Sequence, residues 1–274
     1  MLGQDLQRAL SARDTTALTR GELDITDRDA VVRATTGYNV VVNAAAYTNV
    51  DGAETNEDDA FAINALGTEN LAIAAAEAGA RFVTISTDYV FDGHATTPYG
   101  EDTPRDPLNA YGRTKAAGEE LALHVHPDGT FIVRTAWLYG AGGANFPTTM
   151  LRLAHKHDTV SVVNDQRGQP TWTRDLADQI VALLDAEAPA GIYHGTNSGD
   201  ATWYDFAREV FRLSGLDPER VRPTDSSTFV RPAPRPSYSV LGHDSWSRVG
   251  VKPMRPWKDA LADAAQNGVL TPAP

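Results

Sequence analysis

Asn39-Val40-Val41-Val42-Asn43 and Arg81-Phe82-Val83-Thr84-Ile85-Ser86 are short runs rich in apolar and β-branched residues, bounded by polar positions. Runs of this kind suit strands buried on both faces of a parallel sheet. Between them, Asp51 to Glu77 reads as one long, alanine-rich helix. A Gly- and Pro-containing loop follows from Asp88 to Leu108. Asn109 to His124 then reads as a helix and Thr130 to Thr135 as a further strand. Strands alternating with helices imply a parallel sheet covered on both sides. With right-handed crossovers this is an α/β, doubly wound, Rossmann-like sheet.

The second half of the sequence changes character. Val160–Val163 and Gly191–His194 read as short strands set between helices. Thr202-Trp203-Tyr204-Asp205 resembles a capping box opening a helix that runs to about Leu213. Arg222 to Arg235 is rich in proline and arginine and has no helical period, and Trp257 to Asn267 reads as a closing helix. The expected division is a main unit over 1–140 and a smaller lobe over 141–274, with some lobe elements returning to the main sheet. There are no internal repeats.

Composition narrows the function classes. The chain has 274 residues, 42% of them hydrophobic, and no cysteine, so disulfides, thiolate nucleophiles and cysteine-held metals are excluded. Its net charge of −12 argues against nucleic acid or an anionic membrane as partner. A small anionic ligand needs only a local positive pocket. No apolar run approaches the ~20 residues of a membrane-spanning helix. Met1 leads straight into a polar segment, so the expectation is a cytoplasmic enzyme.

Tyr111-Gly112-Arg113-Thr114-Lys115 places a phenol and an ammonium four residues apart, on one face of the expected helix. A nearby ammonium favours phenolate and is expected to draw the phenol from its usual ~10 toward neutrality. Such a tyrosine can pass a proton to a carbonyl oxygen as hydride reaches the carbon. Nine tyrosines and four lysines in a chain of this length give roughly 0.13 such pairs by accident. Ser86-Thr87-Asp88 sits at the carboxyl end of an expected strand, the edge where open parallel sheets hold ligands. A hydroxyl there can orient the same carbonyl oxygen.

These residues carry a family resemblance. Thr87, Tyr111 and Lys115 look like the catalytic triad of the extended short-chain dehydrogenase/reductases, and Asn43-Ala44-Ala45-Ala46 resembles their strand-end turn beside the cofactor. The match narrows with Ser86-Thr87-Asp88-Tyr89-Val90-Phe91-Asp92-Gly93, which is similar to the signature of the dTDP-4-dehydrorhamnose reductases. Leu23-Asp24-Ile25-Thr26-Asp27, Tyr47-Thr48-Asn49-Val50-Asp51 and Arg134-Thr135-Ala136-Trp137-Leu138-Tyr139-Gly140 resemble that family too. So do Asn164 to Thr171 and Arg235-Pro236-Ser237-Tyr238-Ser239. The resemblance runs in order over essentially the whole chain.

It implies NADPH (or NADH) as cofactor and a dTDP-linked 4-keto-6-deoxy sugar as substrate, in a monomer or homodimer. Residues 1–140 would be the dinucleotide-binding domain and 141–274 mainly the substrate-binding lobe. Tyr111 would be the proton donor, Lys115 its electrostatic partner at the nicotinamide ribose, and Thr87 the group that polarises the keto oxygen. Asp24 and Ile25 would lie by the adenine, and Asn43, Ala44, Ala45, Ala46 and Tyr47 along the pyrophosphate and ribose path. Asp88 and Tyr89 would reach the sugar, Trp137 would wall it, and Arg235 would face the diphosphate, since an arginine fork suits phosphate geometry.

The start departs from the pattern. The family opens with a strand and a Gly-x-x-Gly-x-x-Gly turn, and here only Met1-Leu2-Gly3-Gln4 resembles its tail, with Gly3 as the last glycine. The expectation is a sheet lacking its first strand and most of that turn. Arg20, after Leu18-Thr19 where a second strand should end, is a candidate for a cofactor 2′-phosphate. Gly140 to Asn145 imitates a dinucleotide fingerprint but follows the catalytic helix and has Asn145 in place of its third glycine. His124, His126, His155 and His157 form two His-x-His pairs whose helical spacing points the side chains apart, so no metal site is expected. Two alternatives remain. One is a nucleotide-sugar epimerase or dehydratase of the same fold, against which Tyr89 stands where dehydratases carry the second residue of an acid pair. The other is a non-catalytic regulatory subunit such as that of methionine adenosyltransferase, against which Thr87, Tyr111 and Lys115 are all present.

Overall fold

The apolar runs form strands of one parallel sheet in the computed structural model, which describes residues 1–270. Helices α1 (Leu2–Ala9) and α2 (Arg28–Thr35) precede strand β1 (Val40–Asn43). Short helices α3 (Val50–Ala53) and α4 (Glu57–Phe61) follow, then a π-helical turn at Ala62–Leu66 and α5 (Gly67–Glu77). Strand β2 (Arg81–Thr87), helix α6 (Ala110–Val125) and strand β3 (Thr130–Thr135) complete the first half.

The second half contributes β4 (Leu138–Tyr139), α7 (Phe146–Ala154), β5 (Val160–Val163), β6 (Arg167–Gly168) and β7 (Thr171–Trp172). Then come α8 (Thr173–Asp185), β8 (Gly191–His194), β9 (Ala201–Thr202), α9 (Trp203–Leu213) and β10 (Val221–Thr224). Helices α10 (Asp244–Arg248) and α11 (Trp257–Gln266) close the chain.

The main sheet has the order β1-β2-β3-β8, all parallel. Alternate side chains leave a strand on opposite faces. Phe82 and Ile132 therefore pack with Val31, Leu71, Ala72, Ala75 and Ala122 of α2, α5 and α6. Val83, Phe131 and Val133 pack on the other face with Leu2 and Leu6 of α1, Leu176, Ile180 and Leu183 of α8, and Trp246. Each fully buried apolar side chain of this size contributes about 1.5–3 kcal/mol. A separate aromatic core, including Tyr139, Trp172, Phe206, Phe211 and Trp257, joins α7, α9 and α11 to the two-stranded β5–β10 sheet. The Thr202 capping box forms: its hydroxyl accepts from Asp205 N–H, and the Asp205 carboxylate accepts from Thr202 N–H.

Two sequence expectations are corrected. Residues 51–77 are not one helix. Asn49 caps α3, and the Thr55 and Asn56 side chains both donate to the Gly52 carbonyl, so short polar groups satisfy the backbone locally and end the helix. Leu18-Thr19 is not a strand end. Glu22 accepts from both the N–H and the hydroxyl of Thr19 and folds this stretch into a turn, and among the described residues no strand precedes Val40. The Pro/Arg-rich segment, without helical period as expected, begins as strand β10, paired in parallel with β5; among the described residues β10 has no other partner strand, so Pro223 is tolerated.

Candidate active site

The carboxyl end of β2 carries Thr87 into a 3₁₀ turn at Asp88–Val90, and α6 brings Tyr111 and Lys115 over it. Two glycines make this approach possible. A Cβ on Gly112 would lie 2.2 Å from the Tyr89 carbonyl oxygen, and one on Gly118 would lie 2.1 Å from the Asn64 carbonyl oxygen. Helix α6 is thus pressed onto the Thr87–Tyr89 turn at one end and onto the π-helical turn further along. Its N-terminus is fixed by Asn109, whose side chain accepts from Gly112 N–H and donates to the Pro234 carbonyl, and by Glu54, which accepts from Ala110 N–H.

Thr87 is buried; its hydroxyl donates to Asp88 Oδ1 at 3.0 Å and accepts from Tyr89 N–H. The Tyr111 ring meets Tyr89 edge-on, with centroids 6.0 Å apart. Lys115 is buried, and its Nζ donates to the Ile85 carbonyl at 2.6 Å. It stands in a polar interstice with Asn64, Thr68, Thr84, Ser86 and Glu119, too tight for a water. Glu119, one turn on in α6, is held bidentately by Arg134 of β3 at 2.9 and 2.7 Å, with both side chains 1% exposed.

Burial dominates the electrostatics. It pushes the Tyr111 phenol up to about 12, with Asp88 adding to the rise and the Thr87 hydroxyl opposing it. It pulls the Lys115 ammonium down to about 8, against the Glu119 carboxylate. It raises Asp88 to about 6 against the hydrogen bonds it receives. The expected drawing of Tyr111 toward neutrality is therefore reversed: desolvation raises the phenol, and the Lys115 ammonium is turned to the Ile85 carbonyl. At neutral pH the site presents a neutral phenol, suited to giving a proton, beside a lysine that is still charged.

The segment after β1 has the shape of a cradle for an extended ligand. Asn43 is buried, donates to Thr68 and Thr84, and accepts from Ala45 N–H, which fixes the turn. Ala44 and Ala45 are exposed and Ala46 half-buried, so small side chains leave the backbone approachable. Asn64 grips Tyr47 from both sides, accepting from its N–H at 2.8 Å and donating to its carbonyl at 3.1 Å. It also donates to Thr114, next to Lys115. Asn64 carried a signal in the sequence that was missed: an amide set directly between Ile63 and Ala65 in an otherwise apolar run, Ala60 to Leu66.

Other expected residues sit apart from this cluster. Gly3 lies in α1 with open space where a Cβ would go, so nothing in the fold requires glycine there. Asp24 Oδ1 accepts from Thr26 N–H and hydroxyl, which engages it in its own turn, and Ile25 packs on Gly67 of α5. The Gly140–Asn145 loop packs against the start of α1 and caps α7 through Asn145. His126 Nε2 is bonded to the Ala80 carbonyl, and among the described residues no group of His, Asp or Glu is placed to hold a metal.

On the opposite side, Arg235 lies 5.9 Å over the Tyr89 ring and donates to Asp51 Oδ1 at 2.9 Å. Thr87, Asp88, Tyr89, Tyr111, Asp51 and Arg235 are thus linked in one contact chain. Trp137 packs against the aromatic core around Phe206; its indole stacks on Trp203 at 3.6 Å, a partner the sequence did not announce, and its φ of 46° is strained for a non-glycine residue.

The arrangement matches known proteins. Residues 1–269 match the model of the RmlD substrate binding domain family. The chain is 52% identical over 272 residues to a dTDP-4-dehydrorhamnose reductase of Streptomyces griseus, covering 96% of this chain and 90% of that one. It is 49% identical over 268 residues to a dTDP-4-keto-6-deoxy-D-glucose reductase of Streptomyces niveus, covering 96% and 93%. The crystal structure of a Bacillus anthracis dTDP-4-dehydrorhamnose reductase in complex with NADP superposes with a TM-score of 0.93 at 37% identity, over 97% of this chain and 95% of that one. No helix of the described residues is long and apolar enough to cross a membrane. A strand-end threonine under a glycine-packed Tyr-x-x-x-Lys helix, in this sheet and with these relatives, places the chain in the RmlD substrate binding domain family.

Proposed function

We propose that the protein reduces the 4-keto group of dTDP-4-dehydro-L-rhamnose to give dTDP-L-rhamnose, with NADPH as reductant. The observation that carries this is Tyr111 brought by α6 over the Thr87 turn, in a chain whose relatives bear reductase names. The cradle fits the cofactor. Asn43, Ala44, Ala45, Ala46 and Tyr47 would follow its pyrophosphate and ribose. Lys115 has two ammonium N–H groups beyond the one given to Ile85 for a ribose hydroxyl. Bound there, NADPH supplies the hydride.

The chain's own residues do the rest. The Thr87 hydroxyl orients the keto oxygen. Tyr111 gives its phenolic proton to O4 as negative charge develops, and an alkoxide is basic enough to take it even from a phenol near 12. Lys115, still charged below about pH 8, stabilises the phenolate left behind. Asp88 and Tyr89 meet the sugar, Trp137 walls it, and Arg235 takes the diphosphate. We further place the enzyme in the cytoplasm, as a monomer or homodimer.

The test is direct. The purified chain is incubated with NADPH and, separately, with dTDP-4-dehydro-L-rhamnose and dTDP-4-keto-6-deoxy-D-glucose. Loss of NADPH absorbance with a dTDP-L-rhamnose product by NMR is expected with the first sugar. Absence of NADPH oxidation with either would overturn the reading; turnover of the second sugar alone would reassign the substrate.

A further inference from the structure

The arginines that face the site are not waiting with open forks. Three donors from residues 231–235 converge on one carboxylate. Arg235 Nη2 lies 2.9 Å from Asp51 Oδ1, the Ala233 N–H donates to that same oxygen at 3.3 Å, and Arg231 Nη1 lies 3.6 Å from Oδ2. Two guanidinium groups and a backbone N–H are the donors that hold a phosphate group. Here the anion among them is the protein's own side chain. Arg235 spends its other terminal nitrogen on the Ala233 carbonyl, at 3.1 Å.

The pairing is not needed to hold the fold together. The Arg231 side chain is 56% exposed and that of Asp51 27%, and ion pairs so open to water contribute little to stability. Arg235 is 18% exposed and rests over Tyr89, so it stays in the site whether or not Asp51 holds it. The stretch just before it is not packed down: Phe229 and Val230 are 50% and 85% exposed. A dianionic ligand approaching a chain of net charge −12 gains the full pull of these arginines only once the Asp51 charge has left them.

We propose that Asp51 is a built-in counter-ion: its carboxylate occupies a diphosphate subsite made by Arg231, Arg235 and the Ala233 N–H, and a nucleoside diphosphate binds there by displacing it. The ligand class rests on the reductase reading. The proposal adds Arg231 and the Ala233 backbone to its contacts and makes binding a competition. Asp51 then lowers affinity for every diphosphate, product included, and keeps the arginines from a nonproductive anion.

The experiment titrates dTDP, inorganic pyrophosphate and thymidine against the full chain and its D51N, R231A, R235A and D51N/R231A variants by calorimetry. D51N should bind dTDP and pyrophosphate roughly two- to tenfold more tightly, the scale of an exposed ion pair released, with thymidine unchanged. R231A should weaken dTDP binding, and D51N/R231A should show less gain than D51N alone. Equal or weaker dTDP binding by D51N, or tighter thymidine binding, overturns the counter-ion. If D51N fails to melt cooperatively, R231A decides, because its exposed side chain can be removed without harm to the core; unchanged dTDP affinity then overturns the subsite. The failure of the underlying reading looks different: dTDP affinity untouched in R231A and R235A alike removes the diphosphate from this loop altogether.

Discussion

The two sides of the site are built on opposite principles. The chemical side, with Thr87 and Lys115 buried and Tyr111 half-buried, is hung on a strand and a helix, and locked where Gly112 and Gly118 let backbone touch backbone. The recognition side, Asp51, Arg231 and Arg235, is partly exposed and held by ion pairs that water can replace. Proton transfer needs atoms placed to fractions of an ångström, which packed elements supply and loops do not. Recognition of a charged ligand needs groups that can let go of one partner and take another. The difference also decides which electrostatic effect rules. Desolvation governs Tyr111, Lys115 and Asp88, whereas the loop arginines lie in ion pairs that reach solvent.

The sharpest way to break the comparison is to remove a charge from the rigid side. Arg134→Met strips Glu119 of its bidentate partner and leaves Arg105, at 3.3 Å, and the neighbouring Lys115 ammonium to balance a buried carboxylate. The expected loss is about 3–5 kcal/mol, or a fall in melting temperature on the order of 10 °C. A melt within about a degree of the parent would show that Glu119 is less committed than the geometry says.

Acid should act in the same direction but more gradually. Burial lowers His194 to about 3 and His243 to about 4. An unfolded histidine titrates near 6.5, so below that pH the unfolded chain takes up protons that these two refuse in the fold. Their contribution to stability is complete above about pH 6.5 and is lost as pH falls toward 4. Asp88 opposes this, since a folded value of about 6 means that the fold binds a proton before the unfolded chain does. The histidines are two and are displaced further, so the melting temperature should drop steadily from pH 6.5 to 4. A flat or rising profile would mean that Asp88 prevails.

The recognition side should yield the smallest and most selective effect. Arg235→Ala removes a charged hydrogen-bonding group worth about 1.5–3 kcal/mol. That predicts KM for the sugar nucleotide raised by roughly tenfold or more, with kcat within a few-fold of the parent. A large fall in kcat at unchanged KM would place Arg235 with the chemistry.

What could be read from sequence follows the same division. Strands β2 and β3, helix α6 and the Thr202 capping box are local patterns, each written in a few neighbouring residues. Tyr111 and Lys115 were legible because their chemistry and their helix share one five-residue stretch. The tie between Asp51 and Arg235 was not, since 184 positions separate them and only the fold brings them together. The break in residues 51–77 escaped because Thr55 and Asn56 win by hydrogen bonds to Gly52, a competition that alanine content conceals. The state of Tyr111 escaped for a related reason: the spacing shows the ammonium, but only the fold shows the packing around the phenol that raises it.

Tyr111 is the proton donor on which the mechanism depends, and Tyr111→Phe removes the proton while leaving the ring in place against Tyr89. Steady-state turnover and NADPH affinity are measured on the same preparation. The prediction is a kcat reduced by about 10²–10⁴ with the NADPH dissociation constant changed by no more than about twofold, because only a group acting in the transition state has been removed. Turnover close to that of the parent would contradict the account, and the proton would have to come from another group beside Thr87.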